Sequence, residues 1–521
     1  MDVRGDGHRQ VGRAVPAVDG PGALDPTAPR ARFAAREVLS LAAAVGAVQV
    51  ALAGRYGFHR DELYFLVAGR HLAWGYTDQP PLTPLLARVS TELFGDGPTG
   101  LRAVAALLCA ATIVLMAVVA RELGAGRPGQ VLAAAAGAVS SMVLAVGHMV
   151  TTVTFDLVAW LAVSLLLLRL LRTGDGRWWL GVGAATGVAL LNKDLVLLLL
   201  AALLPAVAAA GPRRVLRGAW PVAGALLAGV LVLPNLYWQA RHGWPQLTVA
   251  AGISDKDGLA NRLTFVPMQV LYLSPVLVPV WVAGFRRLLR EPELRWARAV
   301  AFGYPVLCVL VVALGGKPYY ALPLLLVVTA AGCEPVAQRV WGPGGGARAR
   351  VRLLGWLLVG ALVNAVITLP VLTERQLPAV TWIYPEQGEQ VGWPELAAAV
   401  GAGWSEVPPE LRSRTVVFAS NYGEAGALDR FGARYGLPQA HSGHMSFADW
   451  GPPPDSATGP VLLLHPAPYP QVERYFTDCR VVARVDNGHG LGNQEQHAPV
   501  LLCAGAVAPW SQLWPQLRHF Y

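Results

Sequence analysis

Charge is scarce in this chain. Only 14% of its 521 residues are Asp, Glu, Lys or Arg, against 54% that are apolar. That balance excludes an ordinary soluble protein of this size and fits a polytopic membrane protein. Lysine is scarcer still, with three among 42 basic residues, at positions 193, 256 and 317. There is no glycine-spaced nucleotide fingerprint and no His, Cys, Asp or Glu cluster at metal-ligand spacing, so no metal ligands are assigned. No Ser-His-Asp arrangement and no internal repeat can be picked out. A cleavable signal peptide is also missing, because the first apolar run begins near Val38, too late and too long for one. The formal charge of +9 raises nucleic acid as a partner. Its distribution excludes that reading, because most Arg sits in short clusters between apolar runs, as in cytoplasmic loops.

Five cysteines are present. Cys109, Cys308 and Cys333 lie in apolar runs and read as core residues. Cys479 and Cys503 lie in the polar C-terminal part and could pair if that part is outside the cell, which spacing alone leaves open.

What the chain does have is long apolar runs. Eleven reach or approach the length that crosses a bilayer, over 37–54, 101–120, 129–148, 152–171, 178–191, 195–211, 218–238, 265–285, 299–314, 318–334 and 353–372. The segments 178–191 and 195–211 are short. They are read as two helices, since one tilted helix would bury Lys193 and Asp194 and put Arg213, Arg214 and Arg217 on the wrong side. Arg clusters mark every second loop, which sets the N-terminus in the cytoplasm and the C-terminus outside. Three regions follow: a disordered cytoplasmic tail over 1–35, a membrane domain over 36–373, and an extracytoplasmic α/β domain over 374–521. The last shows strand-length runs at Thr415–Ala419, Pro460–Leu464, Val481–Val485 and Val500–Leu502, with a helix over 421–435.

Two long outward loops are expected, 55–100 and 239–264. The first opens on Asp61-Glu62 and carries an interfacial helix to Trp74, ended by Pro80 and Pro81. Paired carboxylates beside a hydrocarbon boundary are costly, and an enzyme can use one to take a proton from a hydroxyl. Asp156, at the outer end of the fourth span, is the third acid. All three Lys fall in outward loops. Lys193 and Lys317 are candidates for binding an anion, most simply a lipid phosphate, because Lys acts on phosphate as a point charge. Lys256 reads as interfacial. In the C-terminal region His441, His444, Trp450 and Glu424 are the candidate acceptor contacts.

The stretch Asp61-Glu-x-x-Tyr64, with an aromatic-Gly pair, Pro80-Pro81-Leu82, Leu93-Phe94-Gly95 and Arg102, resembles the polyprenyl-phosphate-sugar-dependent glycosyltransferases of the GT-C superfamily. Nearest in pattern are the bacterial protein O-mannosyltransferase branch of glycosyltransferase family 39 and the aminoarabinose transferases of lipid A. The resemblance covers about 55–375. Asn421-Tyr-Gly-Glu-Ala-Gly426 and Trp510-x-x-x-Trp514-Pro resemble the extracytoplasmic domain of an actinobacterial subgroup. The resemblance implies a GT-C fold of about eleven spans, a polyprenyl-phosphate sugar as donor with mannose favoured, and a hydroxyl acceptor on a cell-envelope glycan, protein or secreted natural product. It implies Asp61 as general base, with Glu62 beside it, and Asp156 orienting the acceptor or a divalent cation, the one candidate cofactor. Where the aminoarabinose transferases carry Lys before Pro-Pro, this chain has Gln79. Lys193, Lys317 and Arg102, with Tyr319 and Tyr320, are then the expected donor-phosphate contacts. Two other functions compete: a flippase of lipid-linked sugar, which would show repeat halves and broken helices at mid-membrane, and a polysaccharide polymerase.

Overall fold

The computed structural model describes residues 30–465 and 472–520. The tail expected over 1–35 lies, up to residue 29, outside the described residues. Helix α1 (Ala35–Leu52) leads to a long loop holding α2 (Arg60–Arg70) and α3 (Leu82–Phe94). Then follow α4 (Pro98–Glu122), α5 (Arg127–Val139), α6 (Ser141–Gly147) and α7 (Thr152–Thr173). The short α8 (Trp178–Leu190) and α9 (Val196–Ala210) precede α10 (Ala219–Arg241), α11 (Pro245–Leu273) and α12 (Val278–Arg290). The helical body closes with α13 (Arg298–Ala313), α14 (Leu322–Trp341) and α15 (Ala347–Thr368).

Among the described residues, seven helical segments are long and apolar enough to cross a membrane, and two bent pairs raise the number to nine. With α8 and α9, which are shorter, every expected span has a helical counterpart among the described residues. The chain is a multi-pass α-helical membrane protein. Helix α14 is its axis: Leu322–Cys333 is buried on all sides, as an all-apolar helix must be. Gly284 of α12 lies against the Val328 carbonyl of α14, and Gly332 of α14 against the Val280 carbonyl of α12. A side chain at either glycine would collide with backbone, so the pair packs at small-residue distance.

The two bends support each other. The run expected as 129–148 breaks by 63° at Ser140, and the run expected as 265–285 breaks by 80° at Ser274 before Pro275. The second break frees the carbonyls of Leu271 and Tyr272. Ser141 Oγ donates to Leu271 at 2.5 Å, and Ser140 Oγ to Tyr272 at 3.0 Å. Hydrocarbon could not satisfy those carbonyls, so a break here needs such donors. Residues 245–264, expected within a loop, are helical as the first part of the 29-residue α11.

Beyond α15 come α16 (Pro378–Thr381) and α17 (Trp393–Ser405), then the α/β region with α18 (Tyr422–Phe431) and α19 (Trp510–Leu517). Its strands are β1 (Val416–Ala419), β2 (Ala440–His441), β3 (Val461–Leu464), β4 (Phe476–Thr477), β5 (Arg480–Arg484), β6 (Pro499–Cys503) and β7 (Gly505–Ala506). The main sheet runs β2-β1-β3-β6-β5, parallel across its first three strands and antiparallel beyond, and β4 pairs with β7. Strand alternation splits the core. Val417, Ala419, Leu462 and Leu464 join the cluster of α17 and α18, and Val416, Phe418, Val461 and Leu463 join Trp510, Leu513 and Trp514 of α19. Cys479 and Cys503 form a disulfide there.

Candidate active site

The site begins at the N-terminus of α2. His59 is the N-cap: its Nδ1 accepts the Asp61 N–H at 3.2 Å, and the Glu62 carboxylate accepts the His59 N–H at 2.8 Å. This capping box fixes two consecutive acids in opposite directions. Glu62 turns inward and is fully buried. It takes Arg102 Nε at 2.9 Å, Arg102 Nη2 at 2.7 Å and the Val150 N–H at 3.0 Å. Arg102 is 1% exposed and also donates to the carbonyls of Ala53 and Gly57 and to Gln390. Both expectations for this pair are corrected. Glu62 and Arg102 neutralise each other inside the protein, with their hydrogen bonds going to each other, to backbone and, for Arg102, to the Gln390 and His148 side chains, so both are sealed within the fold. They weld α2 to α4.

Asp61 turns outward. Its side chain keeps about a third of its surface exposed, at 33%. Its Oδ1 accepts a 2.7 Å hydrogen bond from the Tyr422 hydroxyl at the start of α18. No hydrogen bond to Oδ2 is present among the described residues; Arg60 Nε stands 3.8 Å from Oδ1 and His59 Nδ1 3.9 Å from Oδ2. Around Asp61 the other expected groups gather. Asp156, in the first turns of α7, is 4% exposed and accepts from Asn192 Nδ2 at 2.7 Å. Asn192 also takes the Thr83 hydroxyl at 2.6 Å, which ties α3 to α7. Lys193 Nζ donates to Thr152 Oγ1 at 3.2 Å and sits 6.0 Å above the Tyr320 ring. Tyr319 meets Tyr320 edge-on at 4.9 Å and lies within electrostatic reach of both Asp156 and Asp61. Lys317 lies within reach of Glu386, which follows α16. Electrostatic reach therefore links Asp61 and Asp156 through Tyr319, Lys193 to Asp156, and Lys317 to Glu386, the partner of His59.

The acceptor candidates fare differently. Glu424 is fully buried and accepts the Ser420 and Asn421 backbone N–H groups at 2.9 and 3.2 Å. Burial pushes its carboxyl far above the usual range. It closes the cap of α18 and is corrected from a ligand contact to a structural one. His444 is 6% exposed, accepts the Tyr422 N–H at 3.3 Å and stacks on His519 at 4.5 Å. Burial lowers its pKa well below the ordinary value, so the ring is neutral. Trp450 stacks on His71 at 4.7 Å, which seals the C-terminal domain to the loop carrying α2. His441 belongs to β2 at the edge of the sheet, and among the described residues no contact joins it to Asp61.

Several residues went unseen. Asp78, two positions before Pro80, accepts the Tyr64 hydroxyl at 2.6 Å and lies within reach of Asp61 and Lys193. Burial raises its pKa to about 6, against the pull of that hydrogen bond. Glu386 accepts from His59 Nε2 at 2.8 Å. Burial would raise its carboxyl, but the His59 hydrogen bond, Arg60 and Lys317 outweigh it and hold the pKa at about 2. Asp78 stood inside the quoted motif and could have been found there. Tyr422 stood inside the motif Asn421-Tyr-Gly-Glu-Ala-Gly426, but nothing in the sequence joined it to Asp61, and Glu386 carried no signal at all. Among the described residues, no three His, Cys, Asp or Glu side chains gather as a metal cage.

The membrane body, with an acid-bearing first long loop and an α/β domain seated on it, has a GT-C fold. Residues 78–238 match the model of the dolichyl-phosphate-mannose-protein mannosyltransferase family. The structure is similar to that of ArnT from Cupriavidus metallidurans bound to undecaprenyl phosphate, at 16% identity and a TM-score of 0.57, covering 89% of this chain and 97% of that one. The apo state of the same protein gives 15% identity and a TM-score of 0.55 over 90% and 98% of the two chains. No curated protein matches by sequence.

Proposed function

We propose that this chain is a polyprenyl-phosphate-sugar-dependent glycosyltransferase working on the outer side of the membrane. The observation that carries the reading is one partly exposed carboxylate, Asp61, with Asp78 and Glu386 around it, the first within electrostatic reach of Lys193 and the second of Lys317, within a GT-C fold. The family matched over 78–238 is named for dolichyl-phosphate-mannose and ArnT was seen with undecaprenyl phosphate, which supports a lipid monophosphate carrier and favours mannose as the sugar.

In the reaction, Asp61 Oδ2 takes the proton of the acceptor hydroxyl as its oxygen attacks the anomeric carbon. The bond from that carbon to the lipid phosphate breaks, and the departing phosphate takes the electron pair. Charge then grows where Lys193 and Lys317 stand, while the sugar passes through an oxocarbenium-like state. Tyr319 and Tyr320 form the wall beside Lys193. In-line displacement inverts the anomeric centre. Asp156 is assigned to orienting the acceptor, held in place through Asn192. The acceptor is a hydroxyl on a cell-envelope glycan, a protein or a secreted natural product.

The test is incubation of membranes containing the chain with radiolabelled polyprenyl-phosphate sugars and a panel of acceptors. Label passing to an acceptor with release of polyprenyl phosphate supports the reading. Label carried across the bilayer on an unchanged lipid would replace it with a flippase.

A further inference from the structure

The segment Asn421-Tyr-Gly-Glu-Ala-Gly426 is left unexplained by the reaction above, yet each of its polar and glycine positions has a defined contact. Asn421 caps α18, with its side-chain oxygen accepting the Glu424 N–H at 2.9 Å. Glu424, fully buried, holds the Ser420 and Asn421 N–H groups in return. Gly423 and Gly426 face α2: a Cβ at Gly423 would stand 2.9 Å from Arg60 Cβ, and one at Gly426 would stand 3.0 Å from the Leu63 backbone. Glycines on the facing side let two helices approach along their backbones. The result is that Tyr422 is delivered to Asp61 from a helix packed directly on the one carrying Asp61. Its ring lies 5.2 Å from Tyr64 and 5.0 Å from His444, so it has little freedom to swing. Tyr64 adds a second seam, with its hydroxyl 2.8 Å from Ser446 Oγ and 2.6 Å from Asp78 Oδ1.

We propose that Tyr422 is a positioning residue: the C-terminal domain uses its hydroxyl to hold Asp61 Oδ1, so that Oδ2 alone points to the acceptor and takes its proton. A carboxylate free to rotate would share the proton between two oxygens in many orientations. Fixing one oxygen with a charge-assisted hydrogen bond removes that freedom. The domain outside the membrane is then part of the active site and does more than lie above it. The kinetic half of this inference rests on the glycosyl-transfer reading, and the contact itself does not.

The experiment uses the full chain in lipid nanodiscs. In one arm, 3-fluorotyrosine is placed at position 422 and its fluorine resonance is followed. Asp61→Asn shifts that resonance if the hydroxyl bonds the carboxylate. In the other arm, Tyr422→Phe is assayed with a labelled polyprenyl-phosphate sugar. The expected result is a roughly tenfold lower kcat, a donor KM within twofold of wild type and an unchanged melting temperature. An unshifted resonance overturns the contact. A kcat equal to wild type, or a loss matched by a fall in melting temperature of several degrees, overturns the positioning role. If the unsubstituted chain transfers no sugar while the resonance still shifts, the glycosyl-transfer reading has failed and Tyr422 remains the partner of Asp61.

Discussion

Neighbouring acids in one motif should respond in opposite ways to the loss of a charge. Consider Glu62→Gln. In the native protein the Glu62 carboxylate receives four N–H groups, two from Arg102 and one each from the His59 and Val150 backbone, at 2.7 to 3.0 Å. Both partners of the ion pair are sealed from water, at 0% and 1% exposure. Gln turns one accepting oxygen into a donor that faces donors, and leaves the Arg102 charge buried without a counterion. Breaking such a buried pair costs about 3–5 kcal/mol, and the weakened helix cap about 1 kcal/mol more. The apparent melting temperature should fall by roughly 10 °C in detergent, read by intrinsic fluorescence. Asp61→Asn should leave it almost unmoved, because Asn keeps an oxygen for Tyr422 and the side chain is partly solvated. A Glu62→Gln chain as stable as wild type but unable to transfer sugar would refute this division and return Glu62 to the chemistry.

Further expectations follow from the same site. Lys193→Ala and Lys317→Ala should each raise the donor KM by about tenfold, checked with a labelled polyprenyl-phosphate sugar, since each removes one cation that the proposed reaction sets against the lipid phosphate. Acid should loosen the seam between α2 and residues 385–390. Glu386 has its pKa lowered to about 2, so its ion-pair contribution is present above the ordinary carboxylate value and is lost as pH falls toward 2. Hydrogen exchange at 385–390 should be flat from neutral pH to about 5 and rise below about 4. Cys479→Ser with Cys503→Ser opens a crosslink between residues 24 apart. That should cost the C-terminal domain about 3 kcal/mol in the chain-entropy picture, seen as earlier proteolysis of that domain, with helices α1–α15 unaffected.

The membrane body was legible because its signals are local. Apolar run length and alternating Arg clusters locate helices without any knowledge of packing. The strands of the C-terminal domain were legible for the same reason, to within one residue at Val416–Ala419 and Val461–Leu464. Bends were not legible, because the break at Ser274 depends on hydroxyls from Ser140 and Ser141, some 130 residues earlier. At the site, residue type announced Asp61, Asp156 and the lysines. The sequence could not say which way each side chain turns. Glu62 and Arg102 carry the right charges but face each other, and Glu424 is a helix cap that reads in sequence like a polar ligand. Tyr422, 361 residues from its partner, becomes visible only when two helices are stacked.

The most direct test of the account is the transfer rate of Asp61→Asn in reconstituted vesicles, with the polyprenyl-phosphate sugar supplied in the outer leaflet. A chain that inserts and melts as wild type does, binds donor with unchanged affinity and transfers sugar about a hundredfold more slowly is the predicted result. Transfer at the wild-type rate would contradict the central claim that this carboxylate takes the acceptor's proton.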